Sequence, residues 1–107
     1  MSVKPLSSED AYLALADHKG WIVERSHIYK DFRLKDFKTA IEFINSVAAI
    51  ADEVGHHPNI LLHEYFFVRI SSYTHLVNAI TAKDIELAKA IDDSLGETQP
   101  LPVIRDL

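Results

Sequence analysis

Cysteine is absent from the 107 residues. That removes thiol nucleophiles, thiolate zinc sites, disulfide cross-links and thiol redox chemistry from consideration. Long apolar runs are missing as well. No stretch approaches the roughly 18–20 residues that span a bilayer, and Met1–Asp10 carries no apolar signal core. Positive charge is in short supply, with Lys+Arg 11 against Asp+Glu 16 and a formal charge of -5 with neutral histidine. Such a balance argues against a general nucleic-acid or anionic-membrane surface. The expectation is a cytoplasmic protein with no membrane partner and no direct nucleic-acid contact.

What is present describes a folded domain. Apolar residues make up 48% and charged residues 25%, unlike a disordered chain. The length suits one domain over residues 1–107, with Pro100 and Pro102 making Gly96–Leu107 an irregular tail. A domain this small buries only about 60–70% of the surface of its unfolded chain, so self-association is a natural source of further burial.

Periodicity supplies the elements. Ser7-Ser8-Glu9-Asp10 reads as a capped helix start with Tyr12, Leu15 and Ala16 on one face, stopped after Lys19 by Gly20. Trp21 to Arg25 and Ile28 to Leu34 alternate with period two, which predicts two strands turning at Ser26-His27. Over Lys35–Val54, Phe37, Ala40, Ile41, Ile44, Val47, Ala48 and Ala51 recur at helical spacing and are expected to cover the sheet. A second row, Phe43, Val47, Ile50 and Val54, widens the apolar arc beyond what one layer needs and suggests another subunit. Gly55 ends this helix. Ile60–Ser72 is long for one strand, so a hairpin turning near Glu64–Phe67 is expected. Thr81-Ala82-Lys83-Asp84 resembles a capping arrangement ahead of a helix with Ile85, Ala88, Ile91 and Leu95 near one face. The fold class is α+β: a four-stranded antiparallel sheet with three helices packed on one face, in the order α-β-β-α-β-β-α.

Six histidines stand out. His18, His27 and His63 read as ordinary half-exposed residues. His56 and His57 sit between a helix stop and Pro58, where the backbone leaves the helix and the rings can be presented at a sheet edge. His75, beyond the second strand pair, can return to the same end. Imidazole, with an unperturbed pKa of about 6.5, offers acid and base forms near neutrality, which suits an elimination. The same rings with Asp84 or Asp52 could also hold zinc, although adjacent His56 and His57 are poorly placed to share an ion. Spacing alone leaves acid/base, metal and structural readings open.

The pattern Asp52-x3-His56-His57-Pro58, then Tyr65, His75 and Asp84, resembles the signature of pterin-4a-carbinolamine dehydratases. Trp21, Phe32-Arg33-Leu34-Lys35-Asp36-Phe37, Ala40, Phe43, Thr74-His75 and Asp84-Ile85-Glu86-Leu87-Ala88 agree with it, over roughly Leu13 to Asp92. The resemblance implies removal of water from a 4a-hydroxytetrahydropterin to give the quinonoid dihydropterin, with a pterin substrate, no metal, no cofactor, and a homodimer or homotetramer. It places catalytic positions at His56, His57, His75 and Asp84, and substrate-binding positions at Asp52, His57, Pro58 and Thr74. Animal members of the family also stabilise a transcription factor, so a non-catalytic dimerisation module is the alternative. The chain departs from the family at Leu76, Val77, Asn78 and Ala79, where a glycine pair is usual, and at Phe66-Phe67, where the turn is usually polar. Asn78 can adopt a positive φ in place of glycine.

Overall fold

The computed structural model describes residues 3–95; the tail expected over 96–107 lies outside the described residues. Seven elements follow one another: α1 (Ser8–Ala14), β1 (Ile22–Val23), β2 (Ile28–Arg33), α2 (Phe37–Val54), β3 (Asn59–His63), β4 (Phe67–Ser72) and α3 (Ala82–Leu95). The four strands form one antiparallel sheet in the order β1-β2-β4-β3, so the two hairpins meet at the central β2–β4 pair. The α+β architecture and element order are those the sequence predicts.

Strand alternation decides which face is covered. Ile28, Lys30 and Phe32 of β2 lie opposite Ser72, Ile70 and Val68 of β4, and all six are buried. On α2 the buried positions are Ala40, Phe43, Val47 and Ala51, and on α3 Leu87, Ala88 and Ile91 complete the core. Phe32 and Phe43 meet with ring centroids 4.7 Å apart. Each such large apolar side chain contributes about 1.5–3 kcal/mol by leaving water.

The covering stripe of α2 differs from the sequence expectation. Phe37 is 53% exposed and Ile41 38% exposed, and Ala48 is also exposed, so these three do not cover the sheet. The covering face is instead shared between the two predicted rows, because α2 must face both α3 and β4. Phe37, Ile41 and Ala48 form an apolar row on the outside of the helix.

Several boundaries move. Helix α1 ends at Ala14, because Ala16 and His18 N–H groups turn back to Leu13 and Leu15 carbonyls three residues earlier and tighten the exit. Gly20 (φ 100°) then swings the chain into β1, which has two paired residues where Trp21–Arg25 were expected. Helix α2 starts at Phe37, capped by the Asp36 carboxylate, which accepts from the Thr39 N–H at 2.9 Å. That hydrogen bond, aided by Lys35 and Lys38, holds the Asp36 carboxyl below the ordinary carboxylate range. In the β3–β4 hairpin the turn is Glu64-Tyr65-Phe66, and Phe67 is already paired with His63. Glu64 (φ 48°) and Tyr65 (φ 54°) are left-handed without being glycine. An aromatic ladder compensates, with Tyr65 on Phe66, Phe66 on Phe67 and Phe67 on His63.

One buried polar cluster locks the last helix to the sheet. Lys30 is 2% exposed. Its Nζ donates to Asp92 Oδ1 at 3.1 Å and to the Lys19 carbonyl at 3.0 Å, while Trp21 Nε1 donates to Asp92 Oδ2 at 2.9 Å. An unpaired ammonium at this depth would cost several kcal/mol, so Asp92 is what permits a lysine at a core position of β2. On the opposite face, Arg69 makes a two-pronged pair with Asp31 at 2.7 and 3.0 Å, and this contact raises the guanidinium pKa further.

Candidate active site

The site begins where α2 stops. Gly55 adopts φ 79°, the left-handed conformation that ends the helix, and its N–H and that of His56 both return to the Ala51 carbonyl. Pro58 then forbids a return to helix and delivers the chain into β3. The two histidines between them are held by different carboxylates. His56 Nε2 lies 2.7 Å from Asp84 Oδ1, and His57 Nε2 lies 2.8 Å from Asp52 Oδ1.

The first pair is the buried one. Asp84 has no exposed surface and stands in the first turn of α3. Its Oδ1 also receives the Ser72 hydroxyl, and its Oδ2 receives the Thr74 hydroxyl at 2.8 Å and the Thr81 N–H at 2.9 Å. Thr81 Oγ1 in turn accepts from the Lys83 N–H at 3.2 Å, so Thr81 and Asp84 cap the helix reciprocally, much as a capping box does. The cap role and the histidine-holding role of Asp84 therefore coexist. Four donors converge on one acceptor-only carboxylate, which fixes a proton on His56 Nε2 and leaves Nδ1 as the nitrogen that can exchange protons. His56 is partly exposed, with 14% of its side chain accessible.

The second pair is open, with 67% of the His57 side chain and 79% of the Asp52 side chain accessible. Asp52 sits in the last turn of α2, where a negative charge opposes the helix dipole; the His57 ring offsets that cost. Thr74 is 8% exposed and its hydroxyl is engaged with Asp84 and Thr81, so its side chain supports the carboxylate. Pro58 is half-buried and shapes the loop.

His75 is exposed and makes no hydrogen bond to the other site residues. It follows Thr74 directly, and its ring lies flat on Tyr73, with centroids 4.4 Å apart and planes 3° from parallel. Asn78 adopts φ 51°, the glycine-like turn expected there, and its N–H donates to the His75 carbonyl at 3.2 Å. Beside this stack is a cavity of about 210 Å³ lined by Ser26, His27, Asn59, Ser71, Tyr73 and Asn78. A larger cavity of about 310 Å³ between α1 and β1 shares no residue with the site.

Tyr65 is separated from His56 by the length of β3, at the far end of the hairpin. His63 pairs there with Phe67, His18 contacts Asp93, and His27 stacks on Tyr29. Among the described residues no three His, Asp or Glu side chains are grouped as ligands for a metal ion, since His56 and His57 turn to separate carboxylates. Ser72 and Tyr73 were not singled out by the sequence. The available signal for Ser72 was alternation, because Ser72 and Thr74 continue the buried face of Val68 and Ile70.

A sheet covered by three helices, with a histidine–carboxylate pair where α2 passes into β3, defines a class of small histidine-bearing α+β domains. The chain belongs to the pterin-4a-carbinolamine dehydratase family, described as "Pterin 4 alpha carbinolamine dehydratase", which it matches over residues 4–94. Two relatives carry the description "Putative pterin-4-alpha-carbinolamine dehydratase". One from Chloroflexus aurantiacus is 40% identical over 91 residues, covering 85% of this chain and 97% of the relative. One from Sulfurisphaera tokodaii is 39% identical over 93 residues, covering 87% and 99%. Among solved structures, a transcriptional coactivator/pterin dehydratase from Brucella melitensis superposes with TM-score 0.75 at 30% identity, over 87% of this chain and all of the other. A pterin dehydratase-like protein identified as a RuBisCO assembly factor in the alpha-carboxysome reaches TM-score 0.59 at 22% identity, over 74% of this chain and 93% of the other, and shares the fold.

Proposed function

We propose that the protein is a 4a-hydroxytetrahydropterin dehydratase, a hydro-lyase acting in tetrahydropterin recycling. The observation that carries this reading is the His56–Asp84 pair, an imidazole oriented by a fully buried carboxylate. In the reaction the C4a–O bond breaks as the hydroxyl takes a proton and leaves as water, while a ring N–H loses a proton. One proton enters and one leaves, so the step needs no redox partner. His56 accepts the ring proton at Nδ1, because Asp84 stabilises the imidazolium that forms. His75 donates to the departing hydroxyl, and His57, held by Asp52, orients the substrate. Asp84 touches no substrate in this scheme and acts through His56.

The outward row Phe37, Ile41 and Ala48 supports a homo-oligomer, a dimer or a tetramer, as the functional form. A non-catalytic dimerisation module would use the same row but would have no need of an oriented imidazole.

Stopped-flow kinetics on freshly generated 4a-hydroxytetrahydropterin test the assignment. His56→Ala and His75→Ala are each expected to slow dehydration by about 10²–10⁴-fold, the usual span of general acid–base catalysis. Wild-type turnover in both variants would refute the assigned roles, and no acceleration by the unaltered protein would refute the activity.

A further inference from the structure

The larger cavity, of about 310 Å³, has no part in the histidine chemistry. It opens between α1 and β1, at the sheet edge opposite β3, the strand that His56 and His57 precede. Tyr12, Leu15, Ala16, Trp21 and Val23 supply apolar and aromatic wall, Gly20 supplies bare backbone, and His18 and Lys19 are the groups able to carry charge. No Asp or Glu lines it. Pockets that hold small molecules begin near about 300 Å³, and an apolar cavity of about 150 Å³ already admits a benzene ring. There is room here for a ring and a short chain.

The walls are held in place. Trp21 is 7% exposed, and its Nε1 is tied to Asp92 Oδ2 at 2.9 Å. The His18 N–H is held by the Leu15 carbonyl at 2.9 Å, and the Lys19 carbonyl accepts from Lys30 Nζ at 3.0 Å, so the turn that closes the cavity is fixed at both ends. A preformed wall spares a ligand the cost of ordering it.

Charge sets the class of ligand. The carboxylates that touch the lining residues are engaged: Asp93 takes His18 Nε2 at 3.0 Å, and Asp92 takes Lys30 and Trp21. The exposed Lys19 ammonium makes no hydrogen bond or ion pair among the described residues. The rim thus carries one cation without a counter-ion beside an apolar interior. An apolar body with a single negative charge complements both, whereas an amine would meet like charge.

We propose that the cavity between α1 and β1 binds a small aryl carboxylate, with its ring against Trp21 and Leu15 and its carboxylate on the Lys19 ammonium. The site stands whether or not the protein dehydrates pterins, since it shares no residue with the histidine site.

The test compares three probes with one ring and one spacer, 3-phenylpropanoate, 3-phenylpropan-1-ol and 3-phenylpropylamine. Trp21 is the single tryptophan of the chain, so its fluorescence reports on the cavity wall, and amide shifts in 1H–15N spectra locate the site. The acid is expected to bind about fivefold more tightly than the alcohol, the span of a partly exposed ion pair, and the amine most weakly. Its shifts should centre on residues 12–23. In Lys19→Met the acid should fall to within about twofold of the alcohol, whose own affinity stays unchanged, and Lys19→Arg should restore the preference. Lys19 is exposed, so neither substitution threatens the fold. No saturable response to the acid up to about 10 mM overturns the site. So do shifts centred elsewhere, equal affinities for acid and alcohol, or a preference that survives Lys19→Met.

Discussion

Replacing Asp84 separates what the buried carboxylate does for the fold from what it does for chemistry. Asp84→Ala strands the His56 Nε2–H, the Ser72 hydroxyl and the Thr81 N–H at once, while Thr74 retains Thr81 Oγ1 at 2.7 Å. Removing one member of a buried charge-bearing network costs about 3–5 kcal/mol, against a total of roughly 5–15 kcal/mol for a domain. With a urea slope near ~2 kcal/mol/M, the unfolding midpoint should fall by about 2 M. Asp84→Asn behaves differently. Its carbonyl must serve Thr81 N–H, which cannot reverse, so its NH2 faces Ser72 and His56. The Ser72 hydroxyl rotates and accepts. His56 must then accept through Nε2 and carry its proton on Nδ1, the inverse of the native tautomer. The stability cost is expected to be about 1 kcal/mol, one hydrogen bond's worth, while dehydration slows by about 10²–10⁴-fold. Urea titration, stopped-flow rates and 15N shifts of the His56 ring read the three quantities. Native turnover in Asp84→Asn, or a proton still on Nε2, would refute the reasoning.

Three further outcomes are expected. Phe37→Lys combined with Ile41→Lys should reduce the sedimenting mass to that of a single chain, since both residues lie on the uncovered face of α2. The Asp36 carboxyl is held low chiefly by the Thr39 N–H, so its capping contribution is complete above the unfolded-state value of about 3.9 and is lost as pH falls through the lower folded value. Asp36→Ala should therefore lower the melting temperature more at pH 7 than at pH 2, which thermal scans at the two pH values will show. Glu64→Gly relieves one left-handed non-glycine residue, at the expense only of an exposed contact to His63 at 3.5 Å. A gain of about 1 kcal/mol is expected in chemical denaturation.

Element order was readable from the chain because each segment holds one period long enough to recognise. The faces were harder. On α2, two apolar rows overlap, and nothing local says that Phe43 turns inward to Phe32 while Ile41 turns out; only the crossing of α2 over both α3 and β4 decides it. Helix α1 and strand β1 were overextended because capping and alternation mark where an element can begin, whereas its end depends on backbone partners supplied by tertiary structure. The β3–β4 turn fell within the expected Glu64–Phe67 span although its residues are poor turn formers, because aromatic stacking offsets backbone strain that a sequence rule would reject. Within the site, spacing put His56 and His57 on a loop and family resemblance marked Asp84 and Asp52 as site positions, but which carboxylate each ring faces depends on the tertiary structure. Lys30 was legible in principle as a cation on the apolar side of a strand, yet its counterion lies 62 residues away.

The central β2–β4 pairing divides the molecule in an unexpected place. Cut after Gly55, the chain would yield one piece with α1, β1, β2 and α2 and another with β3, β4 and α3. Each would own a two-stranded ribbon too small to persist alone, and each would hold half of an ion pair whose other half is on its counterpart. Two such fragments should be unfolded apart and reassemble when mixed, with the loop bearing His56 and His57 as the seam at which they join.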